Sequence, residues 1–389
     1  VENLKCLACG SGRVTRFLKL ADVPIFCNVL WPTRAEARAA PHGILDLAIC
    51  GDCGHVANAA FDPEKVRYAE GYENSLHHSP RFQKYAEELA ADLRARHDLK
   101  GGRVVEIACG QGDFLKLVCA GEGTRGSGFD PSFRGEPIAD HIEIHREYFG
   151  ISAWEQGADL VCCRHALEHI DQPVPFLRSV RAALPDDSRA TLFFEVPNSL
   201  YSLRDGGVWD FIYEHISYFC GTSLIACFEQ AGLRVTRTWE TFDGQFLCVE
   251  AQADGVPGGA VAASPVPAPA ELVALAQGLA GQLDDLLAHW RAAFTKVRAA
   301  GGKVAIWGTG SKGVTFLNLM GAAADICVPV DINPQKWGLH VAGTGHTIVA
   351  PKELAHSGVQ QVLVMNPVYV GEVRDMVREL GLTAEVGSI

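Results

Sequence analysis

Two glycine-rich loops of different spacing interrupt this chain, Glu106-Ile-Ala-Cys-Gly-Gln-Gly112 and Gly308-Thr-Gly-Ser-Lys-Gly313, and each follows a short apolar run. A glycine turn straight after an apolar strand opens a βα unit whose backbone passes close to a nucleotide-like ligand. The first loop follows Val104 to Ala108, and the next apolar segment ends in Asp130, eighteen residues beyond Gly112. That layout suits S-adenosylmethionine (SAM), with Glu106, Ala108, Gly110 and Gly112 around the amino-acid portion and Asp130, followed by Pro131, at the ribose. The second follows Lys303 to Trp307 in Gly-x-Gly-x-x-Gly spacing, with Asp331 ending the next strand, as in a dinucleotide-binding unit. Ala108 stands where a glycine is usual, a departure expected to cost little because alanine is also small.

The chain is longer than one core usually organises, at 389 residues, so two or three domains are expected. Between the loops, residues 253–270 hold four prolines and three glycines and no charge after Asp254. They read as a linker without regular structure, or as a structureless tether between independent modules. Upstream, a helix is expected from about Pro80, with Phe82, Tyr85, Ala86, Leu89 and Leu93 on one face. Strands at Val104 to Ala108, Gly126 to Asp130, Ala158 to Cys163 and Ala190 to Val196 alternate with helices, which predicts a parallel sheet covered on both faces. Leu233 to Thr241 and Gln245 to Ala251 then form a hairpin around Phe242-Asp-Gly244. After a helix from Glu271 to about Arg298, strands near Val304 to Trp307, Ile326 to Val330, Gln361 to Met365 and Thr383 to Val386 repeat the βα pattern.

Thirteen cysteines in so long a chain read mostly as buried thiols. Four differ: Cys6-x-x-Cys9 and Cys50-x-x-Cys53, with forty residues between the pairs and Gly10 or Gly54 after each. Each knuckle aims two thiolates at one point, and four ligands close a tetrahedral, structural zinc site. His42 and His55 are alternative ligands. The expected division is a zinc-binding domain at 1–65, a methyltransferase domain at 66–252, the linker at 253–270 and a Rossmann-like α/β domain at 271–389.

A formal charge of −12 argues against a long nucleic-acid surface. No run of eighteen uncharged apolar residues and no export pattern at the start of the sequence suggest a protein of the cytoplasm with no membrane contact.

Acid–base chemistry is written in two segments. Arg164-His-Ala-Leu-Glu-His169 ends the fourth strand, at the edge where open α/β sheets bind ligands, so either histidine can face the site; Arg164 and His165 are candidate cofactor contacts and His169 a candidate catalytic residue. After Glu195-Val-Pro-Asn198 comes Trp209-Asp-Phe-Ile-Tyr-Glu-His-Ile-Ser-Tyr-Phe219, where a push from Glu214 would poise His215 as a general base among aromatics.

The order of these features resembles the three-domain sugar C-methyltransferases of deoxysugar biosynthesis: double knuckle, Tyr68-x-x-x-Tyr72, first glycine loop, His-x-Leu-Glu-His169, Glu-His215-x-x-Tyr-Phe219, and the second loop with Asp331-x-Asn-Pro334. The resemblance implies a Rossmann-like class I methyltransferase fold and methyl transfer from SAM to a sugar carbon beside a keto group on a nucleoside-diphosphate sugar. It implies His215 as base, with Glu214, Tyr213, His169 and Tyr72 in supporting or substrate-polarising roles. It also implies that Tyr218, Asn198, Gly310, Lys312 and Asp331 hold the nucleotide-sugar. The family often shows Tyr-His-Glu-His where this chain has Tyr213-Glu-His215. Competing readings are an RNA methyltransferase gripping RNA through its knuckles, a non-catalytic SAM-binding scaffold, and transfer to a sugar oxygen or nitrogen.

Overall fold

The computed structural model describes residues 4–66, 76–135, 138–150, 157–185, 188–253, 261–263 and 267–389. Near the N-terminus β1 (Val14–Pro24), β2 (His42–Cys50) and β3 (Val56–Asn58) pair antiparallel. In β2, alternate residues Leu45, Leu47 and Ile49 are buried, the period-two pattern of a half-covered sheet. Its fourth strand arrives from far downstream.

The central sheet is built in chain order from β4 (Arg103–Ile107), β5 (Arg125–Phe129), β6 (Ile142–His145), β7 (Leu160–Arg164) and β8 (Thr191–Pro197), all parallel. Strand β9 (Ser217–Tyr218) then leaves it and pairs with β3, Tyr218 opposite Val56, completing the N-terminal sheet. β10 (Arg234–Thr241) and β11 (Phe246–Gln252) return as the expected hairpin, β11 antiparallel to β8. With β12 (Ala262–Ala263) the order is β12-β10-β11-β8-β7-β4-β5-β6. This is the Rossmann-like class I methyltransferase fold. The helix Pro80–Arg96 buries Phe82, Ala86, Leu89 and Leu93, the face expected from their spacing.

Two expectations are corrected here. The Pro/Ala/Gly-rich stretch is not wholly irregular: Ala262 and Ala263 pair parallel with Arg237 and Thr238, because the outer backbone of β10 still offers hydrogen-bonding groups. Nor are the flanking units independent modules. The helix Pro269–Ala299, opened by a proline preset for the first turn, places Leu272, Leu279, Leu287 and Phe294 in one core with Leu45, Leu47 and Ile49 of β2 and with Ile306 and Phe316 further on. Each such fully buried side chain contributes about 1.5–3 kcal/mol.

The C-terminal sheet, β14-β13-β15-β16, consists of β13 (Lys303–Trp307), β14 (Cys327–Val330), β15 (Val359–Val364) and β16 (Glu385–Ser388), all parallel. It docks on the central unit through a reciprocal amide pair: Gln245 Nε2 donates to Asn366 Oδ1 at 2.6 Å and Asn366 Nδ2 to Gln245 Oε1 at 2.8 Å. Among the described residues no helix is long and apolar enough to cross a membrane.

Candidate active site and thiolate centre

The knuckles converge. Cys6 Sγ lies 3.6 Å from Cys53 Sγ, Cys9 Sγ lies 3.6 Å from Cys50 Sγ, and all four sulfurs fall within 4.8 Å of one another. Thiolates about 2.3 Å from a shared tetrahedral ion stand about 3.8 Å apart, so this donor set fits zinc. Gly10 and Gly54 both have positive φ, 76° and 74°, the turn that glycine permits. Neither alternative histidine is needed: His42 pairs with Asp22 at 3.2 Å, and His55 is buried against Phe219.

The centre is fastened to the segment that carries His215. Thr222 Oγ1 donates to the Cys53 carbonyl at 2.8 Å, Asn58 N to the Ile216 carbonyl at 3.0 Å, and β3 pairs with β9. The segment is therefore held as a strand of the N-terminal sheet, not as a helix start.

At the first glycine loop Gly110 and Gly112 have positive φ, 56° and 83°. A side chain at Gly112 would collide with Ile138 and Ile144, whereas one at Gly110 would meet open space. Asp130 binds the loop itself: Oδ2 accepts from Gly110 N and Oδ1 from Ser132 N, each at 2.8 Å, with Pro131 exposed beside it. Glu106 is buried, its Oε2 has no partner among the described residues, and burial raises its pKa to about 8. An open glycine loop, an acid at the next strand end and an orphaned buried oxygen fit a polar cofactor such as SAM.

Ala108 has φ 55°. The expectation that it costs little overlooked the backbone, because the left-handed region penalises any side chain by about 1–2 kcal/mol. Ala108→Gly should therefore stabilise the protein by about 0.5–1 kcal/mol after the extra freedom of unfolded glycine is subtracted, read as a denaturant midpoint shifted upward at constant slope. A lowered midpoint would show that the methyl group is needed there.

At the ends of β7 and β8 sits a buried charge network. Arg164 donates to Glu195 Oε1 at 2.8 Å and covers the Phe114 ring at 4.0 Å; His165 Nε2 is 2.7 Å from the same carboxylate, and Tyr85 donates to its other oxygen. Arg164 is thus a partner of Glu195 before it is a cofactor contact. Burial pushes the Glu195 carboxyl up, but Arg164 and then His165 overcome it and hold it at about 2. A depressed carboxyl stabilises the fold above its unfolded value near 4.5, and this is lost as pH falls through 2. The contribution is about 3 kcal/mol. Glu195→Gln should cost about 3–5 kcal/mol at neutral pH, since Arg164 would stay buried without its anion, and should flatten the stability loss between pH 5 and 2. An unchanged acid limb in denaturant titrations would contradict this origin.

Two turns bring the predicted histidines together. Ile216 N donates to the Glu168 carbonyl at 3.0 Å, and His169 Nδ1 lies 3.0 Å from the Glu214 carbonyl. The rings of His169 and His215 meet edge to face at 4.6 Å, on the carboxyl side of β7. Burial brings His169 to about 4 and, aided by His169 and His165, takes His215 well below its ordinary value, so both are neutral at pH 7.

Several assigned roles do not survive the geometry. Glu214 is not what tunes His215; its carboxylate accepts from Cys27 N at 2.8 Å. His169 cannot polarise a keto oxygen through a hydrogen bond from Nε2, because a carbonyl acceptor places its hydrogen on Nδ1. Tyr213 is stacked on Phe61, packed over Gly43, and its hydroxyl accepts from Asp62 N at 3.1 Å, all inside the N-terminal unit. Tyr218 is spent on Ile212, donating to its carbonyl at 2.7 Å and accepting from its amide at 3.0 Å. Asn198 caps the helix Ser199–Arg204 and donates to Glu240 and Gly244. Tyr72 lies outside the described residues.

In the second loop Gly313 lets the helix Ser311–Met320 start against Gly308, whose carbonyl oxygen would lie 2.1 Å from an added Cβ. Gly310 abuts Asn28 of the N-terminal unit. Lys312 pairs with Asp210 at 2.7 Å, and Trp209 packs edge-on against Phe316. Asp331, buried, takes hydrogen bonds from Thr309 N, Thr309 Oγ1, Asn333 N and Lys336 Nζ. The Asp331 carboxylate is thus engaged within its own unit, and Lys312 ties the loop to Asp210, just upstream of the His215 segment. Sequence reasoning missed Glu168, although the Leu-Glu-His169 string displays it: a buried carboxylate beside both histidines.

Residues 79–238 match a family model described as a methyltransferase domain, and residues 273–382 match one described as a C-methyltransferase C-terminal domain. A search of curated proteins gives no match. Among solved structures the chain is similar to the mitomycin 7-O-methyltransferase MmcR, at 21% identity and TM-score 0.35 over 45% of this chain and 58% of that one. It is similar to a SAM-dependent methyltransferase from Aquifex aeolicus at 19% identity and TM-score 0.34, over 49% and 98% of the two chains. A third is the CurJ carbon methyltransferase, at 14% identity and TM-score 0.34 over 44% and 54%. The chain thus spans under two thirds of the length of MmcR and of CurJ, and at such TM-scores these likenesses bear on nothing that follows.

Proposed function

We propose that this chain, a SAM-dependent C-methyltransferase carrying the two methyltransferase-family domains just described, methylates a sugar carbon beside a keto group on a nucleoside-diphosphate sugar. The observation that carries the reading is the neutral His169–His215 pair at the carboxyl edge of the central sheet, on the same edge as the glycine loop. Oxygen and nitrogen acceptors bring their own lone pairs, whereas a carbon becomes nucleophilic only after losing a proton. A neutral imidazole held out of bulk water is suited to that task.

The residues that would hold the cofactor are Glu106, Ala108, Gly110, Gly112 and Asp130. When bound, SAM supplies an electrophilic methyl group. His215 takes the proton from the carbon, and the electron pair left behind spreads onto the carbonyl oxygen. The charge network of Arg164, Glu195 and Tyr85 fixes the ends of β7 and β8, and the Lys312–Asp210 ion pair ties the turn that precedes β9 to the C-terminal unit. Positioning of this kind accounts for a large part of such a rate. Zinc in the four thiolates has a structural part, since a site closed by four cysteines has no open position.

The test is incubation of the purified protein with methyl-labelled SAM and a panel of nucleotide-linked keto sugars, followed by mass spectrometry. Label retained on a sugar carbon is expected. Label on an oxygen or nitrogen, or none despite confirmed SAM binding, would overturn the reading.

A further inference from the structure

An imidazole serves as a base only through the nitrogen that holds a lone pair, and which one that is follows from the bond the other nitrogen makes. His215 Nδ1 is buried without a partner among the described residues while the residue as a whole is partly open, so Nε2 is the nitrogen left for substrate. Glu168, on the turn Leu167–His169, is 2% exposed, and its Oε2 likewise has no partner among the described residues. Its carbonyl accepts from Ile216 N at 3.0 Å, which ties that turn to the residue after His215. One carboxyl oxygen of Glu168 and one nitrogen each of His169 and His215 lie within 4.8 Å of one another. His169 already has its Nδ1 on the Glu214 carbonyl. Orphaned polar atoms buried this close together are costly unless they pair.

We infer that Glu168 is the positioning residue of the base: its carboxyl pairs with His215 Nδ1 and thereby decides whether Nε2 holds a lone pair or a hydrogen. An ionised carboxyl only accepts, so Nδ1 carries the ring hydrogen and Nε2 is free. A protonated carboxyl donates to Nδ1, and the neutral ring then carries its one hydrogen on Nε2, where it blocks the base. Burial, with a smaller push from the Glu195 carboxylate on β8, raises the Glu168 carboxyl to about 8. Around the pair, Cys163 on β7, Tyr218 on β9 and both imidazoles are neutral at pH 7. Arg164 and His165 are held by Glu195, and Glu214 accepts from Cys27 N. Falling pH therefore protonates Glu168 and blocks His215, and rising pH frees it.

The catalytic consequence rests on the carbon-acid reading above; the tautomer does not. With Glu168 ionised, the proton taken from carbon ends on Nε2, the ring becomes a cation, and the carboxylate on Nδ1–H is its counter-charge.

NMR of zinc-replete, full-length protein labelled with nitrogen-15 in its histidine rings tests this, because the shift separates a ring nitrogen that carries hydrogen from one that holds a lone pair. The His215 signal is the one missing from His215→Asn. Its hydrogen should move from Nε2 at about pH 6 to Nδ1 at about pH 9.5, and in Glu168→Gln the tautomer should be the same at both. Methyl transfer at saturating SAM should rise about 10-fold per pH unit below 8 in the unaltered protein and vary by less than about 3-fold in Glu168→Gln. Unchanged SAM affinity would show that the variant is folded. A residue that merely packed would lower the rate at every pH and leave the slope. A tautomer that does not move in the unaltered protein, a result that needs no variant, would overturn the inference, as would a shift or slope retained in Glu168→Gln. The tautomer moving as expected, with no keto sugar methylated, would sink the proposed substrate class and leave the part of Glu168 standing.

Discussion

His215→Asn is expected to reduce methyl transfer at least about 100-fold, the range lost when a positioned acid–base group is removed, with SAM affinity unchanged. Asparagine keeps a polar side chain of similar reach but cannot accept a proton at neutral pH. The ring lies against His169 and Tyr218, while the glycine loop sits at the end of a different strand, so the damage should not reach the cofactor. Exchange of the substrate's acidic hydrogen with deuterated solvent, followed without methyl transfer, isolates the proton step. It should vanish in the variant. Turnover or exchange at the unaltered rate in His215→Asn would remove His215 from the chemistry.

Stripping the thiolate centre should have a comparably large effect by an indirect route. A structural zinc site contributes on the order of 10 kcal/mol to the folded form, and Cys53→Ser both weakens that site and disturbs the strand end that carries it. Because the Cys53 carbonyl anchors Thr222 and β3 holds β9, the loss should spread to His215. The expected signature is abolished transfer, an early separate unfolding transition, and SAM affinity within a few-fold of the intact protein. Loss of transfer together with SAM binding would point to general collapse. Full activity in protein shown to be free of metal would exclude a structural role for the centre.

Much of the central fold was legible because it is local. Each βα repeat of the central sheet carries its own apolar strand and turn, and glycine at 110 and 112 announces backbone that other residues resist. The hairpin around Phe242-Asp-Gly244 was readable on the same grounds. At Ala108 residue size, which the sequence shows, matters less than its φ of 55°, which it does not. Tyr213 and Tyr218 carry the right chemistry for a substrate site, yet their hydroxyls are bound to backbone, one of them in a different unit, and no spacing rule reveals such a partner.

By itself the sequence determined the doubly glycine-looped α/β plan, the pairing of Cys6, Cys9, Cys50 and Cys53, and the candidacy of His169 and His215, since each depends on residues near one another in the chain or on residue type alone. Only the tertiary structure decided what the histidines face. Strand β9 is two residues long and pairs with a strand some 160 positions earlier; a contact of that separation leaves no periodic trace, because its stability comes from a partner surface and not from its own side chains. The same non-local stitching places Glu168 beside both rings and turns a Glu214 oxygen to Cys27 N, while Lys336, five residues on, closes Asp331. Where a carboxylate finds its counter-charge is settled by desolvation and distance in the folded protein, and those are properties of the packed chain.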